Sequence, residues 1–312
     1  MDKEYLEQLK EKYKLTPEQE QERAETIFDK ITFEKDPSGR PFAVIVIGQP
    51  GAGKSNVMTY TGNELPTAVK IDIDDFRKYH PNFFELRQLP AEAYEAITGA
   101  FASRMIHLLT PALIERKHDL IFHKTRGDNA VVEDTIIPLK ENGYDVIMRV
   151  LAVHELESKM SALERSQEQL ETLGYCRWVD SPYHTKHYHL IPELAQFVED
   201  SGLVDAVDVY TRGEIPIYPE LHYSKVLDSK IYTNPHLIDD YGNPIIGNYD
   251  VDKYKSTMDA IVKIREATLP RVLETIDDKI NAAEGRAVSA PGGRDLEFLN
   301  EIKDIYSRIQ MQ

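Results

Sequence analysis

Cysteine is nearly absent from this 312-residue chain. The one thiol, Cys176, has no partner for an internal disulfide and cannot by itself build a structural zinc site. That usage points to a reducing, cytoplasmic setting. Positive charge is in deficit: 37 Lys and Arg against 53 Asp and Glu leave a net charge of −16. Such a field repels polyanions and excludes general binding to DNA or RNA, although a few converging cations can still build a pocket for one nucleotide. Long apolar runs are missing too. The longest, Phe42 to Ile47, falls far short of the roughly 20 residues that a membrane span needs. Met1-Asp2-Lys3-Glu4 lacks the basic-then-apolar order of a secretory leader. We therefore expect no membrane segment, no membrane partner and no leader. Internal repeats and low-complexity tracts are absent as well.

What is present is ample core material. Hydrophobic residues make up 41% of the chain and charged residues 29%, which excludes a wholly disordered polymer. The length suits one large α/β domain with appendages. Residues 1–40 read as a polar helical extension in which Thr16-Pro17-Glu18-Gln19 carries the N-cap, first-position proline and third-position Gln of a capping box. Residues 41–220 alternate extended and helical stretches, which predicts a parallel sheet wrapped by helices. Strands are expected at 42–47, 68–72, 120–123, 146–153 and 206–210, the last paired with 215–218. Helices are expected at 54–62, 91–117, 131–142, 155–173 and 184–200. Residues 221–250 have loop composition. Leu269, Val272, Leu273, Ile276 and Ile280 then keep helical spacing, as do Leu299, Ile302, Tyr306 and Ile309, so 221–312 reads as a loop followed by two helices separated near Pro291-Gly292-Gly293.

Chemistry concentrates in Gly48-Gln49-Pro50-Gly51-Ala52-Gly53-Lys54-Ser55, which fits G-x-x-x-x-G-K-[ST] completely. The glycines let successive backbone N–H groups approach phosphate oxygens. Lys54 is placed to reach the β- and γ-phosphates of ATP, and the Ser55 hydroxyl to hold Mg²⁺. The buried strand before the loop and the helix after it supply the context the motif requires. Ile71-Asp72-Ile73-Asp74-Asp75 then puts carboxylates at the end of the next strand, where open α/β sheets deliver ligands. A small-molecule kinase needs a carboxylate there to orient an acceptor hydroxyl and take its proton; a solvated acidic loop is the plainer alternative. Arg165, on the helix expected over 155–173, and Arg177, just past it, have the types and order of charge-neutralising lid arginines. His184, His187 and His189 form no ligand set, because 184 and 187 share a helical face and 189 points elsewhere.

Taken together, residues 48–55, Ile71-Asp72-Ile73-Asp74-Asp75-Phe76 and His80-Pro81-Asn82-Phe83 resemble the zeta toxin family, the kinase toxins of epsilon/zeta toxin–antitoxin pairs. The similarity runs over roughly residues 42–220 and includes Leu163-Glu164-Arg165 and Arg177. It implies an ATP-dependent kinase acting on the sugar 3′-hydroxyl of UDP-N-acetylglucosamine, with an antitoxin protein as partner. It also implies Asp74 as base, Arg165 and Arg177 on the transferred phosphoryl group, and Asp72, Asp74, His123 and Thr125 on the acceptor side. Where the family reads Glu-Gly-Thr, this chain reads His123-Lys124-Thr125. Neutral histidine cannot copy a carboxylate acceptor, so a kinase with another acceptor (a dinucleotide or an antibiotic hydroxyl) stays open, as does a P-loop binding protein with weakened catalysis. In family systems a helical antitoxin covers the ATP site. Residues 1–35 or the helices after 250 are accordingly expected to lie over the nucleotide side as an internal inhibitory segment.

Overall fold

The chain is described here from a computed structural model covering residues 2–174, 176–212, 216–218, 256–287 and 294–311. The loop expected at 221–250 and the Pro291-Gly292-Gly293 turn lie outside these residues. In the described part, α1 (Lys3–Lys12) and α2 (Pro17–Thr32) precede β1 (Phe42–Ile47), α3 (Lys54–Glu64), β2 (Val69–Ile71), α4 (Ile73–Arg77), α5 (Phe83–Leu86) and α6 (Ala91–Glu115). There follow β3 (Leu120–Lys124), a π-helical turn (Val132–Ile136), α7 (Ile137–Glu141), β4 (Asp145–Leu151), α8 (Glu155–Leu173), α9 (Ser181–Asp200), β5 (Ala206–Tyr210) and β6 (Pro216–Tyr218). The C-terminal helices are α10 (Thr257–Leu273), α11 (Ile276–Ala287) and α12 (Arg294–Gln310).

The sheet runs β2-β3-β1-β4-β5-β6, with the first five strands parallel and β6 antiparallel at the edge. β1 is central, and Ala43 to Ile47 are fully buried. Its side chains alternate between two cores, as the two-residue strand period dictates. Ala43, Ile45 and Ile47 join a large core with α2, α6, α9 and the start of α10, while Val44 and Val46 pack with Ala52, Val57 and Met58 at α3. Burial on both faces is why the strand reads as an unbroken apolar run. Because β1 to β5 are parallel, their C-terminal ends share one edge, where the site forms.

The capping box forms as expected: the Gln19 N–H donates to Thr16 Oγ1 at 3.3 Å and the Thr16 N–H to Gln19 Oε1 at 2.9 Å. Two expectations need correction. The helix at 131–142 is split into a π turn and α7, and Pro138 gives the reason: it lacks an N–H and its ring crowds the carbonyl four residues back. Leu269 to Ile280 span two helices, because the periodicity carries across a break at Glu274-Thr275. The apolar α6 is long and apolar enough, by length and composition alone, to cross a membrane, yet it packs as a core helix through Phe101, Met105, Leu109 and Leu113.

Among the described residues, the terminal helices pack away from the cavity, and only Arg265 of α10 reaches the phosphate loop, from behind. Leu9 and Tyr13 of α1 pack on α5 and α6, and Ile27 and Phe28 of α2 belong to the main core. α11 and α12 pack on α8 through Leu156, Met160, Leu163, Ile276, Phe298 and Ile302. Buried Lys159 of α8 joins α9 and α12, donating to Ser181 Oγ at 2.8 Å and to Glu301 Oε2 at 3.2 Å.

Candidate active site

β1 ends at the phosphate loop, and α3 begins at Lys54. Gly51 and Gly53 have φ of +76° and +89°, a region where side chains are strained. A Cβ on Gly51 would stand 1.9 Å from the Ser158 carbonyl oxygen of α8, so this position tolerates no side chain. The loop is anchored from behind. Gln49 is fully buried, and its Nε2 donates to Val153 O at 2.8 Å and Ser158 Oγ at 3.1 Å. Arg265 of α10, stacked 4.0 Å from the Tyr188 ring centroid, donates to Gln49 Oε1 at 3.4 Å. The Gln49 and Ala52 side chains therefore serve the loop's packing, while Pro50, Gly51, Gly53, Lys54 and Ser55 line the cavity in front of it.

That cavity has a volume of about 580 Å³, within the range of small-molecule sites. It gathers Asp72, Asp74, His123, Thr125, Arg165 and Arg177 with the loop, so every acceptor-side and lid residue expected from the sequence meets there. Residues of the described terminal helices contribute nothing to its lining, which leaves direct internal occlusion without geometric support. Lys124 is also absent from the lining.

Lys54 is 5% exposed, and its Nζ donates to Gly48 O at 2.7 Å and Gln49 O at 2.8 Å. Burial pushes its ammonium down to about 7; Arg165 and Arg177 push the same way, against Asp72 and Asp74. Arg165 has a buried Nε with no hydrogen-bond partner, and burial followed by the nearby Arg177 charge moves its guanidinium below the ordinary range. Arg165 and Lys54 line a cavity suited to polyphosphate.

Asp72 caps α4: its Oδ1 accepts the Asp74 N–H at 3.0 Å, and its Oδ2 lies 2.8 Å from His123 Nδ1. Burial would raise this carboxyl, but the hydrogen bond from His123, then the Asp74 N–H and the Arg177 charge, more than offset that and hold it below the usual value. Asp74 is half-exposed and doubly engaged. Arg77 Nε donates to its Oδ1 at 3.1 Å, and Arg177 Nη1 donates to its Oδ2. The Arg177 backbone is tied to α8, donating to Gln169 Oε1 at 3.2 Å and accepting from Ser166 Oγ at 2.9 Å. Thr125 Oγ1 lies 3.1 Å from the Tyr183 hydroxyl.

Sequence reasoning missed two arginines. Arg77 is buried and joins Asp74 to Thr98 and Glu95 of α6, each at 2.8 Å. Its position three residues after Asp74 on one helical face was the available signal. Arg212, just beyond β5, lines the cavity beside Gly53; the rule that ligands sit at parallel strand ends would have pointed to it. His184 and His187 serve packing: His184 Nε2 meets Ser158 Oγ at 3.0 Å, and His187 Nδ1 accepts the Gly127 N–H at 3.0 Å.

Comparison with known proteins agrees with this geometry. The family model described as Zeta toxin matches residues 24–222. Toxin PezT of Streptococcus pneumoniae serotype 4 (strain ATCC BAA-334 / TIGR4) is 26% identical over 190 residues, covering 60% of this chain and 75% of that protein. Toxin zeta of Streptococcus agalactiae is 24% identical over 208 residues, covering 66% of this chain and 72% of that protein. A solved chain from the PezAT chromosomal toxin-antitoxin system of Streptococcus pneumoniae matches with a TM-score of 0.60 at 24% identity, over 66% of this chain and 83% of that one, a likeness of fold.

Proposed function

The chain belongs to the zeta toxin family, and from that membership we propose that it is an ATP-dependent kinase of a small sugar nucleotide, UDP-N-acetylglucosamine first among candidates, that acts as a toxin. The observation that carries this reading is the convergence of Lys54, Asp74, Arg165 and Arg177 on one cavity at the parallel strand ends.

Phosphoryl transfer asks a protein mainly for position and charge. Lys54 sits at the root of the cavity and trades its two loop carbonyls for the β- and γ-phosphates. Ser55, in the first turn of α3, is the residue that would hold Mg²⁺. A hydroxyl fits that role because magnesium takes most of its ligands from phosphates and water, and the ion would supply neutralising charge on the polyphosphate. Arg165 and Arg177 face the transferred group. The incoming γ-phosphate competes with Asp74 for the Arg177 guanidinium, and its departure frees Asp74 Oδ2. The acceptor oxygen then bonds to the γ-phosphorus as the bond to the bridging oxygen breaks. The electron pair leaves with ADP, and the hydroxyl proton passes to Asp74.

By extension from the PezAT relative, an antitoxin protein is the expected partner, and residues bordering the open cavity are its expected contact. The position of His123, where a carboxylate would accept more hydrogen bonds, supports a second reading in which the same machinery serves another acceptor. Incubating purified protein with ATP, Mg²⁺ and a panel of nucleotide sugars tests both readings. Growth on expression of wild type against Asp74→Asn tests the toxin role, which fails if soluble wild-type protein is as harmless as the variant.

A further inference from the structure

β3 places His123 opposite Val46 of β1, on the same strand face as Ile121, which packs with Val46, Ala52 and Val57 on the phosphate-loop side of the sheet. The imidazole is 9% exposed and lines the cavity beside Asp72 and Thr125. Its Nδ1 is spent on Asp72 Oδ2 at 2.8 Å. Asp72 is itself fixed, because its other oxygen accepts the Asp74 N–H at 3.0 Å. Nε2 is buried and has no hydrogen-bond partner among the described residues. His118 and His184 also carry a buried, unpartnered nitrogen, but neither lines this cavity.

A carboxylate acceptor for the Nδ1 proton selects one tautomer. With that proton on Nδ1, the neutral ring offers Nε2 as a lone pair that can only accept. We infer that His123, oriented by Asp72, is a specificity-determining residue whose Nε2 accepts a hydrogen bond from one hydroxyl or amide N–H of the phosphate acceptor. An acceptor that presents a carbonyl, carboxylate or phosphate oxygen at this point meets lone pair with lone pair and is turned away. The site therefore takes acceptors that present a hydrogen-bond donor at this point, and the hydroxyl or N–H that His123 reads is distinct from the hydroxyl that Asp74 deprotonates. Asp72 links the two readers, since it holds the His123 ring through one oxygen and the Asp74 backbone through the other. This inference rests on the kinase reading above and deepens it by naming what the acceptor must present.

Two measurements on the full chain test it. The first needs no acceptor: imidazole nitrogen NMR shifts, assigned by the signal lost in His123→Gln, report the tautomer. A proton on Nδ1 with a bare Nε2, lost or mixed in Asp72→Asn, is expected; a proton on Nε2 in wild type overturns the inference. The second uses UDP-N-acetylglucosamine and its monodeoxy sugar analogues with ATP. His123→Leu should raise KM for the acceptor about 10- to 100-fold, the loss of one buried hydrogen bond, while KM for ATP stays within about twofold. His123→Gln, which keeps an acceptor atom, should recover part of that loss. One deoxy position should cost wild type the same factor and cost His123→Leu nothing further. An unchanged acceptor KM in His123→Leu, or equal penalties for every analogue in both proteins, overturns the inference. If wild type phosphorylates no nucleotide sugar, the kinase reading on sugars falls, and the tautomer experiment still decides the His123 assignment.

Discussion

Lys54 offers a prediction with a magnitude. Its ammonium is held at about 7 by burial and by two arginines, so at pH 8.5 most of the free protein carries it neutral. Triphosphate binds the charged form. Binding above pH 7 must therefore take up a proton, and affinity must fall as pH rises. One pKa unit is worth about 1.4 kcal/mol. With the group at about 7, the charged fraction falls from about one half at pH 7 to about one thirty-third at pH 8.5, which corresponds to about 1.7 kcal/mol, or about a 16-fold weaker Kd for ATP. The terminal phosphate does not confuse this window, since a phosphate with a second pKa near 6 is ionised throughout it. Calorimetric titration with ATP at pH 7.0, 7.75 and 8.5, in buffers of different ionisation enthalpy, reads both the affinity and the proton uptake. Lys54→Met should bind more weakly, turn over at least ~10²-fold more slowly, and show no such pH slope. A flat wild-type Kd with no proton uptake, or a slope that survives in Lys54→Met, would refute the assignment to Lys54.

Asp74→Asn should keep ATP affinity while transfer falls by ~10²–10⁴-fold; a normal rate in Asp74→Asn beside a dead Asp72→Asn would show that the wrong carboxylate was chosen. Arg149 is 3% exposed and donates to Thr61 Oγ1 and to Glu64 Oε2, both at 2.7 Å, with Asp208 3.6 Å away. Arg149→Leu strands buried carboxylates and should cost about 3–5 kcal/mol in a denaturant titration; a loss below about 1 kcal/mol would show that those carboxylates find water or protons instead.

The phosphate loop was legible because everything it needs is local: an apolar strand, a spaced run of glycines, a lysine and a helix. Asp72 and Asp74 were legible by place, since a strand end followed by acidic residues puts carboxylates at the delivering edge. What the sequence hid were pairings between distant elements. Nothing around Glu95 marks it as the partner of Arg77, 18 residues earlier. The grip of Arg265 on Gln49, 216 residues away, depends on how α10 crosses α9. The placement of the terminal helices was hidden for the same reason. The family's antitoxin suggested cover over the nucleotide side, but that likeness says nothing of where these segments' own apolar faces pack. Ile27 and Phe28 instead bury α2 in the main core, and α11 and α12 bury their apolar faces on α8. His123 was visible as a departure from the family pattern, while its bond to Asp72 required the register of β3 against β2, which sets Ile71 beside Phe122.

The most direct test of the kinase reading is to incubate purified full-length protein with ATP, Mg²⁺ and UDP-N-acetylglucosamine and to follow phosphate by ³¹P NMR and mass spectrometry. The account predicts one phosphate transferred to the sugar 3′-hydroxyl with one ADP formed per transfer, and loss of both in Lys54→Ala and Asp74→Asn. ADP release without a phosphorylated sugar across the nucleotide-sugar panel, or phosphorylation that persists in both variants, would contradict it.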